Sequence, residues 1–329
     1  MTVIYVSDTI HSDVLTEVQA SATVHLGYGP TKVNYLDVSD TVDGVILRAE
    51  TFSRELIEAS PRLRIIARHG VGTDNVDLQA ASDQGVWVTT TPGANGNAVA
   101  EHVFALLLTT ARKLLLAHDN IRHGKWSEGK ADLIGFELSG KTLGLVGFGA
   151  IGRRVATIAR GFGMDVLVSD PYAAEHDVLD AGATPVDLEE LLEASDIVSI
   201  HAPLLPSTRH MIGAQELASM KSSAVIINTS RGGLIDESAL RVALTSGALA
   251  GAALDVLEGE STDMKDPLSH STMTTEPVPG LIITPHIAGQ STEAFLEAGR
   301  SAWTAVQKVL AGGEPLHPVN AEQIRRVPA

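Results

Sequence analysis

Cysteine is absent from the 329-residue sequence. Disulfide bonds, thiolate catalysis and cysteine-ligated zinc or iron–sulfur sites are therefore excluded. Positive charge is also scarce, since 24 Lys and Arg stand against 40 Asp and Glu and give a formal net charge of -16. Nucleic acids and anionic membrane surfaces are bound through cations, so neither is an expected partner.

Long uncharged apolar runs and a basic leader are missing as well. The most apolar stretch, 98–117, carries Glu101, His102, Arg112 and Lys113, which favours a buried helix over a membrane span. The N-terminal sequence MTVIYVSD has neither a basic segment nor a cleavage signature. We therefore expect a cytoplasmic protein.

Two series of alternating strand and helix patterns organise the chain. A length of 329 residues exceeds what one hydrophobic core usually supports, about 250–300 residues, so two domains are expected. Buried strands are predicted at Val3–Val6, Gly44–Arg48, Leu63–Ala67 and Val86–Thr90, and then at Thr142–Gly147, Asp165–Ser169, Ile197–His201, Ala224–Asn228, Gly251–Asp255 and Leu281–Thr284. Helical patterns between them indicate an α/β fold with doubly wound parallel sheets.

Three further segments stand out. Residues 97–122 predict one long helix between the two series, a position suited to a domain junction. Residues 258–280 are polar, contain three prolines, and predict a long functional or mobile loop. Residues 291–310 predict a helix with Ser291 as its N-cap.

A glycine-rich motif, GFGAIG at 147–152, follows a predicted strand and opens a helical pattern. In this setting Gly147 allows a tight turn, Gly149 lets the backbone approach a pyrophosphate, and Gly152 allows close packing of helix and strand. The start of the helix then directs N–H groups at the phosphates. The motif predicts a bound dinucleotide, with a glycine-rich turn of an unrelated unit as the alternative.

Asp170 ends the next predicted strand. A carboxylate there can accept hydrogen bonds from both ribose hydroxyls of NAD, and it would repel the 2′-phosphate of NADP. No Lys or Arg follows within several residues. The predicted cofactor is therefore NAD.

Polar residues lie where strands are predicted to end: His201, Arg231, Asp255 and His286. Ligands of doubly wound sheets bind beyond the carboxyl ends of the strands, so these side chains are expected at one site. Hydride transfer between a carbonyl and an alcohol needs a cation for the carbonyl and its neighbouring carboxylate, which suits Arg, and an acid/base, which suits His. A carboxylate should orient that His and favour its protonated form.

Several motifs together resemble those of the D-isomer-specific 2-hydroxyacid dehydrogenases. In chain order they are RHGVGTDNVD at 68–77, AVAEH at 98–102, VGFGAIGR at 146–153, NTSRGGLIDE at 228–237, GAALDVLEGE at 251–260 and TPHIAG at 284–289. The resemblance covers most of the chain in the family's order. It implies a Rossmann NAD-binding domain inserted into a smaller flavodoxin-like substrate domain.

The family's catalytic residues carry over onto three of these motifs. The Arg of the NTSRG motif binds the substrate carboxylate and carbonyl, which implies Arg231. The His of the TPHIAG motif is the acid/base, which implies His286, and the acid that pairs with it implies Glu260. The family usually has Pro after this acid, and Ser261 at that position here leaves Glu258 as an alternative. The implied reaction is hydride transfer at C2 of a D-2-hydroxy acid or 2-keto acid.

The resemblance and the glycine motif also assign binding residues. Those expected at the cofactor are Gly147, Gly149, Ala150, Ile151, Gly152, Asp170, His201, Thr229, Asp255 and Gly289. Those expected at the substrate are Arg48, Val71 and Gly72, the last two through backbone N–H groups. His69 and His102 are expected to be structural or peripheral, and no metal site is expected.

Arg48 bears on the identity of the substrate. It stands in the stretch DGVILRAET, which resembles phosphoglycerate dehydrogenases, where an Arg faces the distal anion of the substrate. Arg48 therefore indicates a substrate with a second negative group, such as a phosphate or sulfonate. The substrate stays open among 3-phosphoglycerate, sulfolactate, glyoxylate, hydroxypyruvate and bulkier 2-hydroxy acids. A surface Arg is the alternative interpretation.

The resemblance implies a domain arrangement and a partner. The substrate domain is predicted to comprise residues 1–98 and 290–329, and the NAD-binding domain residues 99–289. The C-terminal regulatory domains of many phosphoglycerate dehydrogenases are expected to be absent. A homodimer joined through the NAD-binding domains is expected, with the helix at 98–122 near the interface.

Two other functions compete with this prediction. Some relatives of this fold act as nicotinamide-sensing transcriptional corepressors with little turnover, and only measured turnover separates them from the enzymes. Formate dehydrogenases of the same fold resemble this chain but carry Gln where Glu260 stands here, which argues against that reaction.

Overall fold

The structure is a computed structural model that describes residues 2–127, 129–263 and 266–326. The chain forms two compact units, the first made of Met1–Asn95 and Gln290–Ala329 and the second of Gly96–Gly289. We call these unit 1 and unit 2. Among the described residues no helix combines the length and apolar character that a membrane crossing requires.

Strands and helices alternate along most of the chain. The strands are β1 Val3–Val6, β2 Thr23–Leu26, β3 Gly44–Leu47, β4 Ile65–Arg68, β5 Trp87–Thr89, β6 Thr142–Val146, β7 Asp165–Ser169, β8 Thr184–Pro185, β9 Ile197–Ile200, β10 Val225–Asn228, β11 Gly251–Leu254 and β12 Leu281–Ile283. The helices are α1 Ser12–Gln19, α2 Arg54–Glu58, α3 Leu78–Asp83, α4 Gly96–Ala111, α5 Leu114–Arg122, α6 Ala150–Gly161, α7 Glu175–Asp180, α8 Leu188–Ala194, α9 Ala214–Ser219, α10 Glu237–Thr245, α11 Thr292–Leu310 and α12 Ala321–Arg326. All ten strands predicted from the sequence are present, with small shifts at their ends.

Unit 1 is built on a five-stranded parallel sheet in the order β2-β1-β3-β4-β5. Successive residues of β3 pack on opposite faces, with Val45 and Leu47 in one hydrophobic cluster and Ile46 in the other. Helix α11 returns to this sheet and buries Trp303 and Val306 against it. The strand order is the one found in flavodoxin-like folds.

Unit 2 is built on a seven-stranded parallel sheet in the order β12-β11-β10-β9-β6-β7-β8. Strands β9 and β10 are buried at all four residues and apolar at three of them, which is typical of parallel sheets covered on both faces. The strand order reverses between β6 and β9, and ligands of doubly wound sheets bind at such a switch point. The predicted fold class, two doubly wound α/β domains of which one is of the Rossmann type, is confirmed.

Helix starts follow the sequence signals. Side chains of Asp77, Asp187, Asp236 and Ser291 each accept a hydrogen bond from the backbone N–H three residues later. Such caps satisfy amide groups that have no partner inside the helix. The predicted N-cap Ser291 is confirmed.

The single long helix predicted over 97–122 is wrong, because the structure divides it into α4 and α5. Lys113 adopts the left-handed conformation at φ 52° and interrupts the helix. The Phe136 N–H donates to the Ala111 carbonyl at 3.1 Å, and Gly135 packs so closely that a Cβ would lie 2.0 Å from the Ala111 oxygen. A distant segment therefore ends the hydrogen-bond ladder of α4.

Candidate active site

The glycine motif forms the turn between β6 and α6, at the switch point of the unit 2 sheet. Gly147 has a φ of 100°, and a Cβ on it would lie 2.8 Å from the carbonyl of His201 at the end of β9. A Cβ on Gly152 would lie 2.4 Å from the Gly147 oxygen. No atom lies within 4 Å of the Cβ position of Gly149. Two glycines thus permit tight packing, and the middle one leaves open space.

Asp170 lies beside this turn, directly after β7. Its Oδ2 accepts the Phe148 N–H at 2.7 Å, and its Oδ1 accepts the Tyr172 N–H at 2.9 Å. The carboxylate is therefore held next to the glycine turn, and its position is set by backbone groups on both sides.

Two buried polar atoms, on the residues that follow β9 and β10, lack hydrogen-bond partners among the described residues. The Thr229 hydroxyl and the Nδ1 atom of His201 make no hydrogen bond with any described residue. The other ring nitrogen of His201 lies 2.9 Å from the Ser199 hydroxyl, and burial lowers the pKa of His201 to about 4. This imidazole is neutral near pH 7, and buried polar atoms of this kind usually have a partner.

These observations fit a dinucleotide at the start of α6. Gly149 is the N-cap of α6 and supplies no capping side chain, so the first amide groups of the helix, from Ala150 and Ile151 onward, remain available to an anion. The Cβ position of Gly149 is open, and the buried Thr229 hydroxyl, which follows β10 at the carboxyl edge of the same sheet, has no hydrogen-bond partner among the described residues. Among the described residues no cluster of three or more His, Asp or Glu side chains could hold a metal ion.

His286 and Glu260 form a close pair at the other side of the sheet's carboxyl edge. The imidazole Nδ1 lies 2.6 Å from Glu260 Oε2, and Glu260 Oε1 accepts the Leu257 N–H at 3.0 Å. The His286 side chain is 44% exposed and the Glu260 side chain 14% exposed. The carboxylate is thus fixed and mostly enclosed, while the imidazole reaches solvent.

Glu258, the alternative partner for His286, lies elsewhere. Its Oε1 is 2.5 Å from Arg209 Nη2 and 2.8 Å from His210 Nε2. Of the two acids that the sequence left open, the structure therefore brings Glu260 to His286.

His286 lies on a turn with unusual backbone geometry. Its φ is 53°, in the left-handed region, which costs a residue with a Cβ about 1–2 kcal/mol. Below the turn the fully buried Asp255 carboxylate accepts the N–H groups of Ile287 at 2.9 Å and Ala288 at 2.7 Å. Gly289 follows directly and is the last residue of unit 2. A strained conformation persists only where the surrounding contacts hold it, and here the hydrogen bonds to Asp255 hold the turn.

Arg231 lies on the turn that follows β10. The Asn228 side chain shapes this turn, because its amide donates to the Arg231 carbonyl at 2.8 Å and its oxygen accepts the Ser230 N–H at 3.0 Å. The Arg231 guanidinium donates to the Ser230 carbonyl at 2.7 Å. The next residue, Gly232, packs so closely on the segment leading to Glu260 that a Cβ would lie 2.0 Å from the Leu257 carbonyl carbon. The turns of Arg231 and Glu260 are therefore direct neighbours.

In unit 1, Arg48 follows β3 and its guanidinium lies 4.7 Å from the centre of the Phe295 ring. Within the described ranges, no carboxylate lies within ion-pair distance of Arg48. Val71 is 49% exposed. The N–H groups of Val71 and Gly72 donate to no group in the part of the chain that the structure describes.

The structure adds two shaping residues that the sequence prediction missed. Asn228 sets the turn of Arg231, and an Asn at a strand end before a turn is a signal for such side-chain bonding. The buried Arg68 donates to the carbonyls of Gly72 at 2.7 Å and Leu47 at 3.0 Å and also to that of Arg48. It thereby joins the strand end of Arg48 to the Val71–Gly72 turn.

The site of unit 2 thus combines a dinucleotide-type turn, a carboxylate–imidazole pair and an Arg on an adjoining turn. An oriented imidazole can exchange a proton with an oxygen, and a guanidinium can stabilise negative charge on that oxygen. Both lie at the carboxyl edge of the sheet that carries the glycine turn. This set of groups suits oxidation and reduction at a carbon that bears oxygen.

Comparison with known proteins agrees with this interpretation. The family model "D-isomer specific 2-hydroxyacid dehydrogenase, NAD binding domain" matches residues 104–288. The chain is 39% identical over 286 residues to a glyoxylate reductase from Korarchaeum cryptofilum, which covers 85% of this chain and 83% of the relative. It is 37% identical over 326 residues to a D-3-phosphoglycerate dehydrogenase from Methanocaldococcus jannaschii, which covers 98% of this chain, and it spans 60% of that relative's length.

A solved structure extends the likeness to the fold. The crystal structure of a glyoxylate reductase from Paecilomyes thermophila superposes with a TM-score of 0.83 at 31% identity, covering 98% of this chain and 99% of the other. The residues that the family model matches all lie inside unit 2. The chain therefore belongs to the D-isomer specific 2-hydroxyacid dehydrogenases, and unit 2 contains the NAD binding domain of that family.

Proposed function

We propose that this protein is an NAD-dependent dehydrogenase that interconverts a D-2-hydroxy acid and the corresponding 2-keto acid. The observation that carries the proposal is the His286–Glu260 pair, 2.6 Å from Nδ1 to Oε2, on the same sheet as the glycine turn. Such a pair holds the imidazole ring in one orientation, as an acid/base that exchanges a proton with substrate requires.

The proposed mechanism assigns each group one task. When bound, the reduced nicotinamide supplies a hydride for C2 of the keto acid. His286 donates a proton to the carbonyl oxygen during reduction and removes it during oxidation, while Glu260 orients the ring through Nδ1. Arg231 stabilises the negative charge that develops on this oxygen, an effect typically worth a few kcal/mol.

Substrate binding is proposed to involve unit 1. The Val71 and Gly72 N–H groups, which have no acceptor among the described residues, suit the substrate carboxylate. Arg68 supports their turn through its hydrogen bond to the Gly72 carbonyl. Residues 1–98 with 290–329 would then form the substrate domain, and 99–289 the cofactor domain.

The test is turnover by the purified protein. NADH would be mixed with 3-phosphohydroxypyruvate, sulfopyruvate, glyoxylate, hydroxypyruvate, pyruvate and phenylpyruvate, and its absorbance followed. His286→Ala should lower kcat at least about a hundredfold, because general acid–base catalysis typically contributes that much, while NADH still binds. The matched control is His176→Ala, since the His176 side chain is 77% exposed. Unchanged turnover in His286→Ala would refute the assignment of His286 as the acid/base. If the wild-type protein binds NADH but turns over none of the acids, a nicotinamide-sensing role would be favoured.

We further propose that the substrate carries a second anionic group, bound by Arg48. Support comes from a guanidinium that has no carboxylate partner among the described residues and is held over the Phe295 ring. Relatives named phosphoglycerate dehydrogenase and glyoxylate reductase both occur, so the substrate has to be measured. Arg48→Gln should raise KM for the phosphorylated or sulfonated acid and leave KM for glyoxylate unchanged. An equal change for both would contradict the role of Arg48.

We also propose a homodimer that uses α5 and the segment after it. None of the α5 residues is buried. Large apolar side chains there are strongly exposed, with Leu115 at 58%, Trp126 at 74% and Ile134 at 73%, and such patches mark interfaces. Light scattering should give twice the chain mass, and Leu115→Glu with Trp126→Glu should give the monomer mass. A monomeric wild-type protein would refute the proposal.

A further inference from the structure

A chain of hydrogen bonds joins α4 to the turn that carries His286. His102 lies on α4, and its Nε2 is 3.2 Å from the Thr284 hydroxyl oxygen and 3.6 Å from Asp255 Oδ1. The Thr284 hydroxyl donates to the same Asp255 oxygen at 2.5 Å. Residues from three separate motifs of the sequence therefore meet inside unit 2.

The direction of each hydrogen bond follows from the groups involved. An ionised carboxylate only accepts, so the hydroxyl proton of Thr284 points at Asp255. The remaining lone pairs of that hydroxyl are left to accept from His102. The Nε2 atom of His102 therefore carries the hydrogen and donates to Thr284.

Asp255 connects these hydrogen bonds to the turn that carries His286. Its side chain is completely buried, and its carboxylate accepts the Ile287 and Ala288 N–H groups. Its backbone carbonyl also accepts the His286 N–H at 2.8 Å. Rotation of the Asp255 carboxylate would release both side-chain bonds, and these hold the turn in which His286 has a φ of 53°.

We propose that His102 is a positioning residue: acting through Thr284, it fixes the Asp255 carboxylate and so the direction of the His286 ring. The inference rests on the proposed function for its catalytic consequence, but not for the contact itself. It gives His102 a more specific role than the structural or peripheral one expected from the sequence. It also gives the Asp255 side chain, which was expected at the cofactor, the task of fixing the His286 turn.

The test compares variants that remove or keep the donor. His102→Leu removes it, Thr284→Val removes the relay with nearly the same shape, and His102→Gln keeps an N–H at a similar distance from the backbone. His176→Leu, at an exposed position, is the matched control. For each variant kcat, KM, the NADH dissociation constant and the nitrogen chemical shifts of the His286 ring would be measured, the shifts being assigned with His286→Ala.

His102→Leu and Thr284→Val are expected to lower kcat about tenfold to a hundredfold, because small misplacements of a catalytic group have effects of this size. The NADH dissociation constant should stay at its wild-type value, and the His286 shifts should move. His102→Gln should recover most of kcat, and the double variant should be no worse than the poorer single one, since both changes break one chain of bonds.

Two other results would overturn the inference. In the first, the wild-type protein is active and both variants keep its kcat and its His286 shifts. This result refutes the role of His102 and leaves the proposed function unaffected. The other is loss of folded protein with unchanged kcat per folded molecule, which shows a structural role only. If the wild-type protein turns over no acid, the proposed function fails, and the His286 shifts alone decide: shifts that move in both variants support the brace, and unmoved shifts refute it. If His102→Leu does not fold, Thr284→Val carries the same test.

Discussion

The same substitution made at Gly149 and at Gly152 should affect two different properties of the protein. The two glycines lie three residues apart at the start of α6. A Cβ on Gly152 would be 2.4 Å from the Gly147 carbonyl oxygen, a backbone atom, whereas a Cβ on Gly149 would meet nothing within 4 Å. Gly152→Ala should therefore act on folding, and Gly149→Ala on cofactor binding.

The magnitudes follow from these contacts. Overpacking costs about 1–3 kcal/mol, and contact with a backbone atom at 2.4 Å belongs to the upper end of this range. The better helix propensity of Ala returns up to about 1 kcal/mol, so Gly152→Ala should lower the free energy of unfolding by about 2 kcal/mol. At Gly149 the loss of a favourable N-cap residue and the reduced entropy of the unfolded chain nearly cancel, leaving a change within about 0.5 kcal/mol.

Cofactor binding should show the reverse order. A methyl group on Gly149 would fill the space through which a pyrophosphate approaches the backbone. NADH affinity should fall at least tenfold, which corresponds to about 1.4 kcal/mol. Gly161→Ala is the matched control, because Gly161 ends the same helix and its Cβ position is also open.

The assays are urea unfolding without cofactor and NADH fluorescence titration, applied to all three variants. The reasoning is refuted at Gly149 if that variant binds NADH as tightly as the wild-type protein. It is refuted at Gly152 if the unfolding free energy is unchanged. Weaker NADH binding in Gly161→Ala would show that the titration is not specific for the glycine turn.

Three further predictions concern selectivity, pH and the helix break. The wild-type protein should prefer NADH to NADPH at least about tenfold in kcat/KM, and Asp170→Ser should narrow the ratio because a negative charge near the 2′-phosphate is lost; an unchanged ratio contradicts this. Burial lowers the pKa of His201 from 6.5 to about 4, so its stabilising contribution is complete above pH 6.5 and falls by about 2 kcal/mol at pH 5 as the unfolded chain binds a proton. Burial also lowers the pKa of His69, so His201→Gln should still lose some free energy of unfolding between pH 7 and pH 5, but less than the wild-type protein loses. Urea unfolding measures both losses, and equal losses would contradict the role of His201. Lys113→Gly should leave stability unchanged or raise it, because Lys113 has a φ of 52°, whereas Ala105→Gly within α4 should cost about 1 kcal/mol; equal losses in thermal or urea unfolding would contradict the role of the left-handed residue.

Local patterns were sufficient for much of the fold. Parallel strands buried on both faces are continuous apolar segments, and all ten predicted strands, from Val3–Val6 to Leu281–Ile283, are present. Strands β2 and β8 were not predicted. Strand β2 lacks fully buried residues and β8 has two residues, Thr184–Pro185, so neither presents a pattern long or apolar enough to recognise.

The glycine turn was also recognisable in the sequence, because its three glycines lie close together and Gly152 packs on the Gly147 carbonyl within the same turn, although Gly147 also packs on His201 after β9. A tight turn, an open approach and a close helix start are local requirements, and strand, turn and helix are consecutive at 142–161. The family's motifs likewise identified the chain, since each motif is a short continuous segment.

Other features depended on residues far apart in the chain. The break between α4 and α5 follows from Gly135 and Phe136 packing on the end of α4. Glu258 and Glu260 lie two positions apart, and the sequence did not show which of them pairs with His286. Arg209 and His210, which are distant in the sequence, bind Glu258, and Glu260 pairs with His286.

The sequence by itself determined the two series of alternating strands and helices, the dinucleotide-binding motif and the family. These features follow from local periodicity and from short, continuous motifs. Only the tertiary structure decided which carboxylate faces His286, where the long helix ends and that His102 meets Thr284. Those outcomes depend on contacts between segments up to 182 residues apart. Such contacts arise when the sheet of unit 2 brings the ends of its strands to one edge, and no local pattern encodes them.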